Sequence, residues 1–486
     1  MESTAPPHGG PLIAAQVWPH SFVDEGFGAV LDVLQETMRA NTVIVVAANR
    51  GTPTYQATRW RPGHRERAET YTALGGFYST PHPEHYPTEA LPPIKSPQEG
   101  LRDIDALAKV LEAARPRGLG VYAYLFDAYY RNPPEALPPQ LADALSVDAL
   151  GRPVYRPCYN NPRYRGFILG MIEDHVRSYD LDGVYFQFEG FGQSSPFQQL
   201  FYSDVTPSCF CGHCAARAAQ QGWSAERARE GYLRLRELIS GTVRSSAGRA
   251  ERTSNQQGAR NAAGGERPRD GYLVTMLRLL IRYPEALAWQ TLWQQTRARM
   301  FREIYGVAKA LAPERQVAFN VHHSVQMELF HRASLDYAEA REFADWLKPN
   351  VFHRVAGPRF ARNARALQRS LFRDWAAEDV RRLLYEAFGF GGPESLEALA
   401  ERGFPPEEFV YHETQRIVAA AGPDVPICAG IDLEAPGSPP TEQNDVKASI
   451  GQAFRAGARG IVLSRFYDEW SYPTLEAVGQ AVAGVT

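Results

Sequence analysis

Eight short apolar runs of strand length, each followed by an amphipathic helical stretch, succeed one another along this chain. They are LIAAQVW from Leu12, TVIVVAA from Thr42, LGVYAYLF from Leu119, DGVYFQFE from Asp182, QVAFNVHH from Gln316, NVFHRV from Asn350, PICAGIDLE from Pro426 and GIVLSRF from Gly460. Such an order implies parallel strands joined by helical crossovers. The fold class predicted is α/β, a (β/α)8 TIM barrel, with a doubly wound open sheet as the competing topology. Helix signals agree with it. In SPQEGLRDIDALAKVLEAARPRG, Ser96 and Glu99 have capping-box spacing and Pro97 takes the first helical position. After Asn161, the residues Ile168, Met171, Ile172 and Val176 recur at helical spacing.

Two stretches interrupt the alternation. Residues 51–95, rich in Pro, His and Tyr, form a long loop after the second strand, expected to cover the active-site end of the barrel. Residues 200–312 form an insertion after the fourth strand that holds a cysteine cluster and a helical excursion. Within it, 244–270 are Arg, Ser, Gly and Asn with almost no large apolar side chain, a composition that cannot offset the entropy of ordering and is expected to be disordered. Deleting residues 246–268 should therefore leave the unfolding temperature nearly unchanged, and limited proteolysis should cut there first; a collapse of stability on deletion would show the segment to be core. The expected organisation is one barrel over residues 1–486.

Composition narrows the partners. The chain is 44% hydrophobic and 22% charged with a net charge of −3, so no basic face points to nucleic acid and no segment has the length of a membrane span. No secretory signal is visible in MESTAPPHGGPL, and the expected compartment is the cytoplasm. A small neutral ligand fits this balance, and a homo-oligomer is compatible with it.

The fourth run, LDGVYFQFEG, alternates. Val184, Phe186 and Phe188 share one face, and Tyr185, Gln187 and Glu189 the other. In a barrel the apolar face meets the helices, which sends the polar set inward and puts Glu189 at the carboxyl end, where barrel active sites sit. The bland alternative is a loop glutamate paired with an arginine. The seventh run repeats the pattern: Cys428, Gly430, Asp432 and Glu434 alternate with Ile427, Ala429, Ile431 and Leu433. Carboxylates on strands four and seven would flank a bound glycosidic bond, one as acid/base and one as nucleophile or as base toward water. Asp432 or Glu434 merely capping the segment or holding a lid is the structural alternative.

Other strand ends carry rings, amides and charges: Trp18, Asn49 with Arg50, Asp127, Asn320 with His322, His353, Arg465 and Trp470. Such a set suits a polyol, whose hydroxyls need fixed donors and acceptors and whose ring faces stack on aromatics. Singly each is as often structural. His322 or His353 as a base would instead point to a sugar-acid lyase or isomerase.

Five cysteines occur, and three of them, Cys209, Cys211 and Cys214, form the C-x-C-x-x-C of SCFCGHC. Cys158, in RPCYNNPRYR, is the fourth candidate ligand and His213 the reserve. Four thiolates make a closed tetrahedral zinc site, structural rather than catalytic; the alternative is a cluster of reduced thiols. Cys428 lies in a strand and is expected simply to pack. No organic cofactor is expected.

The succession LGRPVYRPCYNNPRYRGFI, DGVYFQFEG and CFCGHC, over about residues 150–215, resembles the central region of the zinc-containing bacterial β-galactosidases of glycoside hydrolase family forty-two, and more closely the glycosyl-hydrolase-like barrels related to them. The resemblance implies a glycosidase acting on a small saccharide, with Glu189 as acid/base, a strand-seven carboxylate (Glu434 first, Asp432 second) as nucleophile, and zinc on Cys158, Cys209, Cys211 and Cys214. It also marks a departure. Phe188 stands where the family has an Asn that bonds the sugar 2-hydroxyl, which keeps open a barrel that binds carbohydrate without cleaving it.

Overall fold

The computed structural model describes residues 10–49, 54–56, 70–72, 74–127, 139–188, 195–203, 205–240, 267–322, 324–392, 394–434 and 439–485. Arg50, Glu189 and most of segment 244–270 lie outside the described residues. The last four residues of that segment are described, and there Arg267 pairs with Asp374 at 2.5 Å and Asp270 with Arg278 at 2.6 Å.

Eight parallel strands form the barrel: β1 (Leu12–Val17), β2 (Thr42–Asn49), β3 (Gly120–Asp127), β4 (Gly183–Phe188), β5 (Gln316–Val321), β6 (Trp346–Pro349), β7 (Cys428–Asp432) and β8 (Gly460–Ser464). Hydrogen-bonded neighbours run β6-β5-β4-β3-β2-β1-β8-β7. Parallel bridges between Leu347 and Ile427, and between Asn350 and Gly430, join β6 to β7 and bring the ring round. Gly76–Phe77 adds antiparallel to the end of β2.

Helices cover the outside: α1 (Phe27–Asp32), α2 (Ala106–Ala114), α3 (Pro162–Ser178), α4 (Glu285–Leu311), α5 (His353–Ser370), α6 (Pro406–Ala421), α7 (Gln443–Arg455) and α8 (Tyr472–Ala483). The β5–β6 connection carries short helical turns instead, Ser324–Met327, Leu329–Arg332 and Tyr337–Glu342. The expected helical excursion after β4 is present, with Ala225–Ser240 and Gly271–Arg282 preceding α4.

The period-two alternation of the strands divides the buried apolar residues into two bodies. Ile13, Ala15, Val43, Val45, Val121, Ala123, Val184, Phe186, Ala429 and Ile431 belong to the large body between strands and helices. Leu12, Ala14, Ile44, Val46, Tyr122, Tyr124, Tyr185, Trp346, Cys428 and Val462 form a separate inner cluster, so the barrel is filled rather than hollow. Cys428 is packed there, as its place in an apolar run suggested. A side chain at Gly430 would collide with Lys348 and Asn350, which reach across it inside the barrel. This close approach requires the glycine.

Two sequence expectations are corrected. The sixth strand is Trp346–Pro349, and NVFHRV instead ends the strand and opens α5 at His353. Lys348 hid the strand: its charge breaks the apolar pattern, yet it is buried with its ammonium 5.1 Å from the Phe352 ring centroid. The capping box at Ser96 does not start a helix. Gly100 turns the chain at φ 74°, and α2 begins after Asp105, whose carboxylate accepts from Ala108 N at 2.9 Å. Asn161 does cap α3, accepting from Arg163 N at 3.0 Å with Pro162 at the first position.

Candidate active site

The polar residues of the inner face form a tier above the aromatic filling. The Tyr124 hydroxyl donates to Gln187 Oε1, and the Tyr185 hydroxyl donates to Asn320 Oδ1 at 3.0 Å. The Tyr124 and Tyr185 rings meet edge to face, 4.9 Å between centroids, and Tyr185 stacks on Trp346 at 5.9 Å. Strands three, four, five and six are thereby tied together inside the barrel. Gln187 is in this tier, as the alternation predicted, and the strand-end amide Asn320 joins it; Tyr124 does not follow from any motif and is legible only as an inward position of β3.

At the end of β1, Trp18 is fully buried between Phe466 and Tyr78, with centroids at 5.1 and 5.9 Å. Tyr78 comes from the segment after β2. Its backbone N–H donates to Ala47 O, while Lys95 Nζ donates to the carbonyls of Tyr78, Ser79 and Ile104 at 2.9, 3.0 and 2.6 Å. Asn49 is buried beside Tyr78, whose hydroxyl is pushed up by burial against the opposing bond from Asn49. Asp127 ends β3.

Strand seven delivers its carboxylates to helix starts. Asp432, 1% exposed, lies 3.1 Å from His353 Nδ1 and accepts from the backbone of Arg354 at 3.1 Å and Val355 at 3.3 Å, at the first turn of α5. A carboxylate there is favoured by the free N–H groups and the helix dipole. His353 also faces Ser449 at 3.3 Å, and its Nε2 is buried with no partner among the described residues. Glu434 is partly exposed and accepts from the Ser471 N–H, the Ser471 hydroxyl at 2.7 Å and the Thr474 hydroxyl at 3.0 Å, at the start of α8 beside Trp470. Trp470 is itself fully buried.

Positive charge gathers at the ends of β5 and β6. His322 is held neutral, its ring pushed well down by burial first and then by Arg359, His331, Arg297 and Lys348. At the end of β8, Arg465 Nη2 lies 3.0 Å from Glu469 Oε1, and Phe466 N donates to the other oxygen at 3.3 Å. Glu469 escaped the sequence reading because it sits in a short turn, Tyr467–Glu469, not at a strand end. Burial pushes its carboxyl up to about 8; the Arg465 charge opposes this and Asp468 adds to it.

Between the ordinary value of 4.5 and about 8, the folded protein keeps a proton on Glu469 that the unfolded chain releases. This contribution to stability is complete below pH 4.5 and is lost as pH rises through 8. Urea unfolding of the parent should therefore show stability falling across that window, and Glu469→Gln should flatten the fall. Identical pH slopes in both proteins would dismiss the assignment.

The four cysteines come together as their spacing suggested. The sulfurs of Cys158, Cys209, Cys211 and Cys214 all lie within 4.8 Å of one another, with Cys158 3.5 Å from both Cys211 and Cys214. Four ligands at the zinc–thiolate distance of about 2.3 Å place sulfurs ~3.8 Å apart at tetrahedral corners, so the set can hold a metal ion. Asn160 Nδ2 and Val147 N each donate to a cluster sulfur, Cys214 and Cys209, at 3.3 Å. The neighbouring sulfurs, Cys158 first, then Cys209 and Cys214, push the Cys211 thiol down. Trp289 stacks on Phe210 at 4.7 Å and bonds Cys209 O at 3.1 Å, anchoring the cluster to α4.

Among the described residues no helix is long and apolar enough to cross a membrane. No family model matches the sequence, and no curated protein matches it. Solved structures do match. A β-galactosidase from the psychrophilic Marinomonas ef1 aligns over 98% of this chain and 59% of its own, at 11% identity and a TM-score of 0.50. A polyextremophilic β-galactosidase from the Antarctic haloarchaeon Halorubrum lacusprofundi aligns over 98% and 58%, at 12% identity and a TM-score of 0.50. The chain thus spans under two thirds of the length of either protein. At such identities the likeness is one of fold, and this chain has the (β/α)8 barrel also found in those glycoside hydrolases.

Proposed function

We propose that this chain is a glycoside hydrolase for a small saccharide, with Glu189 as the acid that protonates the leaving oxygen and Glu434 as the strand-seven partner, Asp432 being second choice. The observation that carries the reading is the inner face of β4. Tyr185 is packed inside the barrel and Gln187 is bonded to Tyr124 in its polar tier, so continued alternation supports an inward Glu189 at the strand's end. Glu434 is favoured over Asp432 because it is partly exposed and oriented by three donors, whereas Asp432 is buried against the first turn of α5. Asp432 would then position His353 rather than attack.

Gln187, Asn320, His322 and Arg465 are the proposed polar partners of the sugar, with Arg50 and Asp127; Asn49, His353, Trp18 and Trp470 are fully buried and would support that lining from behind. Zinc on Cys158, Cys209, Cys211 and Cys214 would supply a closed structural cross-link and no chemistry at the mouth. One observation favours a second reading, a barrel that binds a saccharide without cleaving it: both strand-seven carboxylates already serve helix starts. A panel of aryl glycosides, with the product anomer followed by NMR, separates the two. Hydrolysis of at least one substrate, slowed by Glu434→Gln, is expected; saturable saccharide binding by calorimetry without any product would establish the second reading instead.

A further inference from the structure

The helix Gly271–Arg282, in the excursion after β4, is apolar on both sides. Tyr272 and Met276 are buried, and Leu273, Leu279 and Leu280 pack against the core beside them. The outer face carries Val274, Leu277 and Ile281, which are 47%, 48% and 81% exposed. A surface helix normally turns polar side chains outward, and the neighbouring helix Ala225–Ser240 does so with Glu226, Arg227, Glu230 and Arg234. Two further exposed apolar side chains lie near the ends of the stripe. Leu287 comes just beyond Pro284, and Trp375 follows Asp374, whose carboxylate accepts from Tyr272 N at 2.9 Å at the helix start.

These five side chains leave on the order of 500 Å² of apolar surface, as much as the largest patch of a typical monomer and more than half of the roughly 800 Å² that each partner buries in a standard interface. Val274, Leu277 and Ile281 follow one another at intervals of three and four residues, the seam spacing with which helices pack on helices. Residues 244–266, which precede this helix, contain no apolar side chain larger than alanine and so cannot fill such a seam. The seam is instead complementary to itself. Laid antiparallel about a two-fold axis near Leu277, it sets Val274 against Ile281 of a second copy and Leu277 against its own equivalent. Charge follows the same symmetry. Arg282 is exposed, lies 5.7 Å from the Tyr283 ring centroid and makes no ion pair among the described residues. Asp270, bonded to Arg278 at 2.6 Å, lies one turn before Val274. The antiparallel arrangement brings Arg282 within about one turn of the second copy's Asp270 and opposes the two helix dipoles.

We propose that this face binds a second copy of the chain, the two Gly271–Arg282 helices packing antiparallel about a two-fold axis near Leu277. A second copy is favoured over an unrelated protein because the apolar spacing and the charges both match their own two-fold image. The contact is independent of the glycosidase reading, since it uses none of the residues assigned to turnover. It removes from water an apolar face that the single chain leaves open.

Sedimentation velocity and light scattering on the full chain, across about 1–100 μM, test it. A mass twice the 54.2 kDa of one chain is expected, with an unfolding temperature that rises with concentration. Ile281→Asp should weaken the dimer at least about a hundredfold while keeping the parent's circular dichroism, because the side chain it replaces is exposed in the single chain. Should that variant fail to fold, Leu277→Lys serves in its place. In the parent, Leu277→Cys should give a disulfide-linked dimer on mild oxidation, and Glu230→Cys on the polar helix should not. A monomer at every concentration, or a dimer that neither seam variant weakens, would overturn the proposal. So would a gain of hydrophobic-dye binding by a monomeric chain lacking residues 246–268, which would make that segment the cover. Binding of a monomeric parent to anionic vesicles, lost in Ile281→Asp, would likewise overturn it and assign the face to a lipid surface.

Discussion

Glu189→Gln is expected to lower turnover of alkyl glycosides by about 10²–10⁴-fold while costing activated aryl glycosides far less. An alkoxide is a poor leaving group and needs a proton in the transition state; a nitrophenolate leaves without one. The difference between the two substrate kinds, rather than the loss itself, identifies an acid. Glu434→Gln should slow both kinds alike, because a better leaving group replaces neither a nucleophile nor a base. With a retaining mechanism, added azide should restore turnover to that variant and yield a glycosyl azide of inverted configuration. Asp432→Asn should act differently again: it loosens the His353 ring and the first turn of α5, so lowered stability is expected beside any kinetic effect. Full activity of Glu189→Gln on an alkyl glycoside that the parent hydrolyses would end the proposed assignment.

Removal of metal is the second large effect. One zinc per chain is expected by elemental analysis, bound by Cys158, Cys209, Cys211 and Cys214. Structural zinc sites bind with about 10 kcal/mol or more of apparent free energy, which becomes folding energy when the unfolded chain cannot assemble the site. Cys158 follows a hairpin strand and the other three ligands lie about fifty residues on, so the unfolded chain has no preformed site. A strong chelator should therefore lower the unfolding temperature markedly, and Cys209→Ser should reduce both metal content and stability. A Glu434 or Glu189 variant should keep its zinc, which separates the structural site from the catalytic one. A metal-free preparation that is fully folded and active would exclude the role.

Patterns that repeat were readable in advance, and single positions inside elements less so. The barrel follows from strand and helix periodicities because each strand must present one face to the helices, and eight parallel strands with crossovers have few ways to close. The same parity rule correctly sent Tyr185, Gln187, Cys428 and Gly430 to the inner side. It failed at β6, because burial of a lysine depends on the cavity that Gly430 leaves across the barrel. Ser96 misled for a related reason: its hydroxyl donates to Leu74 O at 2.7 Å, a long-range partner that no local capping rule includes.

Cysteine spacing indicated a four-sulfur cluster because C-x-C-x-x-C places three thiols near one point, and covalent connectivity alone limits their separation. Partner choice for the charged groups is another matter. That Glu434 faces Ser471 and Thr474, that Asp432 faces the first turn of α5, and that Glu469 is buried against Arg465 depend on segments brought together from distant parts of the chain or folded into turns without periodicity. Arg297 is the clearest case. Its burial against the rings of Trp293 and Phe301 exists only once the helix has docked. Periodicity is a property of neighbouring residues and survives in one dimension; desolvation and charge pairing are properties of a volume, and that volume is made by the packed fold.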